Sequence, residues 1–169
     1  MATTIRIPVE LYLQGQYEPD VDYVDGSIEK RNLGENDHSK WQLAIQLWFS
    51  LNAEKWNVLV RPELRVQTGA TRYRVADVTI LDASRPQEPI PIHPPLAVFE
   101  VLSPEDRLSR VSTRLADFAG MGVSEIWLID PETGSFDRFE NGQLVRREQF
   151  EFVERGISFS VAEIVRLVR

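Results

Sequence analysis

Two apolar segments of the sequence each contain a single carboxylate. Asp77 lies within "RYRVADVTIL" (72–81), and Glu100 lies within "LAVFEVL" (96–102). A buried, unpaired carboxylate is costly or takes up a proton, so a metal ion, a cation of the chain or solvent must offset that cost. If the segments are paired strands, the two acids and a backbone carbonyl, such as that of Val101, form a hard oxygen site suited to Mg²⁺. A metal there can polarise a phosphodiester and generate hydroxide near neutral pH.

Both acids also have an interpretation without a metal. Asp77 can pair with Arg72 or Arg74 on its own strand, and Glu100 can pair with an arginine such as Arg114. Buried acids paired with arginine do occur, and removing one partner of such a pair is strongly destabilising. The residues alone therefore leave a metal site and a structural ion pair as alternatives.

Composition limits the kinds of site and partner. The chain has 169 residues, 43% hydrophobic and 27% charged, which is ordinary for one soluble globular domain, expected to span residues 1–169. It has no cysteine and two histidines, His38 and His93. Thiolate and histidine-rich zinc sites are thus excluded, and oxygen ligands for Mg²⁺, Mn²⁺ or Ca²⁺ remain. The net charge of −7 disfavours strong non-specific binding to nucleic acid but allows a local basic groove.

The sequence contains no membrane or targeting signal that we recognise. No run approaches the roughly 18 apolar residues that a membrane span needs. The start of the sequence, "MATTIRIPVELYLQGQYEPD", has no long apolar segment and no cleavage signature. We therefore expect a cytoplasmic protein without a membrane partner.

Hydrophobic periodicity and turn residues divide the chain into helices and strands. Asp37 is the expected N-cap of the clearest helix. The predicted elements are a helix at 8–14, a hairpin at 21–31 around Asp25-Gly26, a helix at 35–56, strands at 57–67 and 72–81, a proline-rich loop at 82–95, a strand at 96–102, a helix at 109–122 ending at Gly122, a strand at 124–130, a hairpin around Asn141-Gly142 and a closing helix at 160–168.

This order predicts an α/β (α+β) fold with a mixed central β-sheet. The first three central strands follow one another through loops, so we expect them to be antiparallel. The strands at 96–102 and 124–130 are joined by a helix and are expected to be parallel, as in a βαβ unit. Helices flank the sheet, and β-hairpins precede and follow it.

The order of motifs resembles a known family. The pattern "RVADV…LAVFEVLSPEDR…RLADFAGMGVSEIWLIDP", with "YVDG" and "DHS" upstream, is similar to the Uma-type family of bacterial "putative restriction endonucleases" over roughly residues 8–150. That family is assigned to the restriction-endonuclease-like, PD-(D/E)XK superfamily. The resemblance implies that Asp77 is the aspartate of the PD element and Glu100 the acid of the (D/E)XK element. In the superfamily both bind a divalent metal, Mg²⁺ or Mn²⁺, and a lysine helps to position the attacking water.

The sequence departs from the superfamily pattern at the lysine. Ala76 replaces the PD proline, and Leu102 stands where the motif lysine is expected. Members of the family usually place a lysine on the following helix, where this chain has Arg114, and an acid four residues earlier, where it has Arg110. An arginine can hold a phosphate but stays protonated and cannot act as a base. The lysines of the chain lie outside this segment, at Lys30, Lys40 and Lys55.

Further residues are candidates for the same site. His38 matches a histidine common in the family, although a histidine at a helix start is often only a surface residue. Arg107, Arg110 and Arg114 recur at steps of three and four on one helical face, which favours either phosphate contact or a solvated surface.

These observations give three candidate functions. The first is a Mg²⁺-dependent DNA endonuclease in which Asp77, Glu100, Arg114 and His38 are catalytic and Asp77, Glu100 and Val101 hold the metal. The second is a catalytically degenerate nuclease fold that binds nucleic acid or protein, and the third is a structural interaction module. Two DNA strands need two active sites, so a homodimer is expected for the first.

Overall fold

A central eight-stranded β-sheet organises the chain. The computed structural model describes residues 6–169; the predicted domain, 1–169, also includes residues 1–5, which lie outside the described range. The helices are α1 (Val9–Gln14), α2 (Asn36–Leu51), α3 (Ala53–Trp56), α4 (Leu108–Met121) and α5 (Val161–Val165). The strands are β1 (Val21–Val24), β2 (Ser27–Lys30), β3 (Val58–Gly69), β4 (Arg72–Asp82), β5 (Ala97–Val101), β6 (Glu125–Asp130), β7 (Ser135–Glu140), β8 (Gln143–Arg146), β9 (Gln149–Phe152) and β10 (Ile157–Ser160).

The sheet is mixed and mostly antiparallel, as the sequence predicts. Its order is β2-β1-β4-β5-β6-β7-β8, with β3 paired to β4. Strand β4 is antiparallel to both β3 and β5, and β5 and β6 are parallel and joined through α4. The predicted fold class is therefore confirmed.

Strand β4 carries three neighbouring strands. Strand β3 pairs with it from Val58↔Asp82 to Gly69↔Arg72, along its whole length. Strands β1 and β5 must then share the opposite edge, where β1 pairs near Arg72 and β5 pairs from Val78 to Ile80. The edge of β4 between these two pairings, which includes Asp77, is not covered by either register. This gap is where the candidate site lies.

A hydrophobic core lies on each face of the sheet. On one face, α2 packs through Trp41, Ile45 and Phe49 against Phe99 of β5 and Trp127 of β6. The small β9–β10 sheet adds Phe150 and Phe159 to the same core.

The opposite face is covered by α4. Its buried residues Val111, Leu115 and Phe118 pack against Val98 of β5 and Leu128 of β6. Successive side chains of β5 thus point alternately to the two cores, and by this alternation Glu100 lies on the α4 side of the sheet.

Turn residues set the ends of several elements as predicted. Asp25-Gly26 and Asn141-Gly142 have positive φ angles at all four positions, as type I′ hairpin turns require. Gly122 ends α4 with φ of +102°, a conformation that favours glycine.

Other predicted boundaries are wrong in detail. Asp37 is not the N-cap of α2: the helix begins at Asn36, and Asp37 lies in its first turn, where it pairs with Lys40 at 2.6 Å. The predicted helix at 35–56 divides at Asn52 into α2 and α3. The closing helix is shorter than the predicted 160–168. It begins after Ser160, which forms a capping box with Glu163, and it ends at Val165.

Within residues 6–169, none of the helices combines the length and the apolar character that a membrane crossing requires.

Candidate active site

Asp77 and Glu100 lie opposite each other on neighbouring strands. The β4–β5 pairing ends at Val78↔Phe99, and Asp77 and Glu100 are the next residues of the two strands beyond that last pair. Both side chains are buried, with exposed fractions of 2% and 1%. The predicted convergence of the two acids at one end of a strand pair is therefore present in the structure.

The Asp77 carboxylate is held by three donors. Its Oδ1 accepts a short hydrogen bond from Nη2 of Arg31. Its Oδ2 accepts from the backbone N–H of Val101 at 2.7 Å and lies 3.3 Å from Nε2 of His38. Asp77 thus has a nearly complete set of partners from the chain itself.

The Glu100 carboxylate is less completely satisfied. Its Oε2 accepts from Nη2 of Arg114 at 3.1 Å and lies 4.0 Å from Nη2 of Arg31. Its Oε1 is buried and has no hydrogen-bond partner among residues 6–169. A buried carboxylate oxygen without a donor is costly, so this atom is the one in the pair that is available to a further cation or donor.

The surroundings push the pKa values of the two acids in opposite directions. Burial would raise the pKa of Asp77, but the Arg31 guanidinium and His38 outweigh it, so the pKa is lowered. Burial raises the pKa of Glu100 to about 7, and the neighbouring Arg114 only partly opposes this. Separated pKa values in a pair of close carboxylates are a feature of catalytic acid–base and metal sites, although structural ion pairs show them too.

His38 is a residue of α2 whose ring lies close to the segment that precedes the helix. It lies in the first turn of the helix, is 9% exposed, and its Nδ1 has no partner among the described residues. Burial lowers the pKa of His38, but its hydrogen bond with Asp77 outweighs that effect and the pKa is raised. A Cβ atom on Gly34 would lie 2.8 Å from His38 Nδ1, so glycine allows the segment to approach the ring closely.

The donor types fit a hard divalent cation, although Arg31 already provides a positive charge there. The two carboxylates supply oxygen ligands, and the unpartnered Oε1 of Glu100 can take a cation without losing a hydrogen bond. Within residues 6–169, no group of three or more histidine or acidic side chains has a metal-binding arrangement. A metal would therefore rely on Asp77, Glu100 and a backbone oxygen, for which Val101 remains the prediction.

The structure brings together the side chains predicted for the site. Asp77 contacts His38, Glu100 contacts Arg114, and the backbone N–H of Val101 donates to Asp77. Leu102, at the expected lysine position, is instead partly buried in the core beneath α4.

Two predicted ion-pair partners of Asp77 are wrong. Arg72 binds Asp25 and Asp117, and Arg74 binds Asp22, Glu29 and Asp117. The partner of Asp77 is Arg31, which the sequence does not single out. Arg31 comes directly after β2, and no motif or spacing relates it to a strand 46 residues later.

A basic groove adjoins the acids. Lys30, Arg107, Arg110 and Arg114 line a cavity of about 290 Å³ together with Asn32, Glu105 and Asp106. Arg107 and Arg110 are exposed at the start of α4, whereas Arg114 is half-buried against Glu100. Arg107, Arg110 and Arg114 thus line one cavity, as their spacing predicts. Arg114, the most buried of the three, also binds Glu100.

A comparison with solved structures finds a similarity over nearly the whole chain. The fold resembles the crystal structure of "a putative nuclease belonging to DUF820" from Anabaena variabilis, with a TM-score of 0.81, 20% identity, and coverage of 96% of this chain and 99% of that chain. The cryo-EM structure of the DrdV–DNA complex is more distant, with a TM-score of 0.45, 17% identity, and coverage of 75% of this chain and 11% of that chain. At these identities the first similarity shows a shared fold.

A comparison with protein families gives the closer relationship. No curated protein matches the chain. The family model for Uma2, described as "Putative restriction endonuclease", matches residues 9–166, which is nearly the whole sequence. The resemblance carried by the motifs around Asp77 and Glu100 is thereby confirmed, and the chain belongs to the Uma2 family.

Proposed function

We propose that the chain is a metal-dependent DNA endonuclease that hydrolyses phosphodiester bonds, with Mg²⁺ or Mn²⁺ held by Asp77, Glu100 and the Val101 carbonyl. The observation that carries this proposal is the pair of buried carboxylates opposite each other on β4 and β5, with Glu100 Oε1 unpartnered. The family of the chain and the nuclease-like fold support it. A bound divalent ion would supply Lewis-acid polarisation of the phosphodiester and a lowered water pKa.

The neighbouring side chains would position the reacting groups. Nε2 of His38 contacts Asp77 Oδ2 and so fixes the orientation of that carboxylate. Arg114 is 12% exposed at its side chain and lies beside Glu100 and the basic groove, so its guanidinium can reach a phosphate oxygen. Because arginine remains protonated, its role would be to hold charge and not to accept a proton.

The basic groove supports DNA as the substrate. Lys30, Arg107 and Arg110 present positive charge beside the acid pair on a chain whose net charge is −7. Contacts with the phosphate backbone provide affinity that does not depend on base sequence. A homodimer would place one such site on each strand of a duplex.

A second function is favoured by a specific observation. Arg31 and Arg114 already provide two positive charges for the two carboxylates. With Leu102 and Arg114 at the usual lysine positions, the chain could be a degenerate member that binds nucleic acid or protein without turnover.

Cleavage of supercoiled plasmid and of single-stranded DNA, with Mg²⁺ or Mn²⁺, separates the two functions. We expect the wild type to nick plasmid and Asp77→Asn and Glu100→Gln to be inactive. Glu151→Gln, which removes an exposed carboxylate on β9, should cleave as the wild type does. If the wild type is no more active than Asp77→Asn at every metal concentration, the degenerate function is correct.

A further inference from the structure

Arg31 occupies the position between the two candidate metal ligands. One atom, Nη2, donates to Asp77 Oδ1 and lies 4.0 Å from Glu100 Oε2. Its side chain is only 11% exposed, so the interaction is partly shielded from solvent. The same positive group therefore faces both acids that would bind a metal.

Space as well as charge is limited at this position. A small cavity whose lining includes Arg31, His38, Asp77 and Arg114 has a volume of about 10 Å³. That is near the lower limit for a single water molecule. Because Mg²⁺ usually keeps several of its waters, the ion and the Arg31 side chain do not fit together in the arrangement seen.

The segment that carries Arg31 allows the side chain another position. Strand β2 ends at Lys30 and α2 begins at Asn36, so Arg31 lies outside regular secondary structure. It also lines an open surface cavity of about 170 Å³ that is lined by Asp20 and Glu63 as well. A move of the guanidinium from the buried acids toward Asp20 and Glu63 would therefore not break a strand or a helix.

We propose that Arg31 is a displaceable counter-cation of the metal site: a divalent ion and the Arg31 guanidinium exclude each other at Asp77, and Arg31 leaves the acid pair when the ion binds. This rests on the proposed function, because it takes Asp77 and Glu100 as metal ligands. Arg31 then stabilises the metal-free protein at the expense of metal affinity. The linkage is reciprocal, so removal of Arg31 should tighten metal binding.

Calorimetric titration with Mn²⁺ tests the exchange without an activity assay. We compare the wild type with Arg31→Gln, with Asp77→Asn and with Arg166→Gln, which removes an exposed arginine on the last turn of the chain. Arg31→Gln should bind Mn²⁺ about 5- to 150-fold more tightly than the wild type, the usual range for coupled sites. Arg166→Gln should match the wild type, and Asp77→Asn should not bind.

The outcomes separate this inference from the proposed function. If the wild type binds Mn²⁺ and Arg31→Gln binds equally or more weakly, the exchange is wrong and the metal site stands. If only Arg31→Gln binds, the exchange is correct and the wild type is the degenerate form. If neither binds, both proposals are wrong.

A second measurement covers the case in which Arg31→Gln does not fold. The arginine Nε–H resonances of the ¹⁵N-labelled wild type are followed during a Mg²⁺ titration, with Arg31→Lys used to assign the Arg31 signal. The Val101 amide, which donates to Asp77, reports the arrival of the ion. We expect both signals to shift together. A Val101 shift with an unchanged Arg31 signal, or no shift of either, would overturn the exchange.

Discussion

The Arg31 guanidinium donates to the Asp77 carboxylate across 46 residues of sequence, and both side chains are largely buried. Arg31 is 11% exposed and Asp77 3% at the side chain. A cation of the chain therefore offsets the burial of this acid. The pair links the segment after β2 to the centre of β4.

Removing the charge of Asp77 should destabilise the metal-free protein. Asp77→Asn leaves Arg31 and His38 without their carboxylate, and loss of one partner of a buried ion pair costs about 3 kcal/mol or more. Urea unfolding at pH 7 with a chelator measures the free energy of unfolding. Asp37→Asn is the control, because the Asp37 side chain is 69% exposed and its pair with Lys40 should contribute less than about 1 kcal/mol. Equal stabilities of the two variants would show that Arg31 does not stabilise the fold through Asp77.

The sequence predicts the parts of this site that depend on local pattern. Asp77 and Glu100 stand out because each interrupts an apolar run, and the helix between two apolar strands predicts the parallel β5–β6 pair. Arg31 could not be found in this way, because its contact depends on the path of a segment without regular structure. Only the three-dimensional arrangement brings it to β4.

The same distinction applies to the smaller elements. The hairpin turns at Asp25-Gly26 and Asn141-Gly142 follow from residues that tolerate positive φ. The sequence does not predict the β9–β10 sheet, because each of its strands has only four residues and a short 3₁₀ helix lies between them. Its buried phenylalanines become informative only once α2 and the central sheet are in place.

Arg74 should be more important for stability than any exposed arginine. Its side chain is 1% exposed and binds Asp22, which is 2% exposed at its side chain, as well as Glu29 and Asp117. Arg74→Met would leave Asp22 as a buried charge without its partner and should cost about 3–5 kcal/mol. Arg146→Met is the comparison, because its pair with Asp137 is exposed and contributes about 1 kcal/mol or less.

Chemical unfolding measures this difference between the two methionine variants. A loss below about 1 kcal/mol for Arg74→Met would mean that its hydrophobic replacement compensates for the whole network, as happens in some buried ion pairs.

The contribution of Glu125 to the free energy of unfolding should fall as the pH rises. It is 2% exposed, and burial raises its pKa although Arg138 lies 2.8 Å away and Trp127 Nε1 donates to it at 3.0 Å. Below about pH 4.5, its ordinary pKa, both the folded and the unfolded chain hold the proton. Above that value the unfolded chain releases the proton first, so the free energy of unfolding falls until the folded pKa is passed.

Comparison with Glu125→Gln isolates this effect. The glutamine keeps an oxygen acceptor for Trp127 but does not titrate, and the other acids titrate in both proteins. The unfolding free energy of the wild type minus that of the variant should decrease as the pH rises from about 4.5. A difference that stays constant or increases with pH would contradict the raised pKa.

Arg114 gives the most direct test of the catalytic proposal. Its Nη2 donates to Glu100 at 3.1 Å, while its Nε is buried without a partner among residues 6–169. Arg114→Lys places a compact ammonium at the position where the family usually has lysine, and it removes the unpartnered Nε. We expect this variant to nick supercoiled plasmid faster than the wild type, by about tenfold if transition-state contact improves by 1.4 kcal/mol. Arg114→Ala should be slower, and Asp77→Ala serves as the blank. If Arg114→Ala cleaves as well as the wild type, the arginine only neutralises Glu100 and does not contact the phosphate.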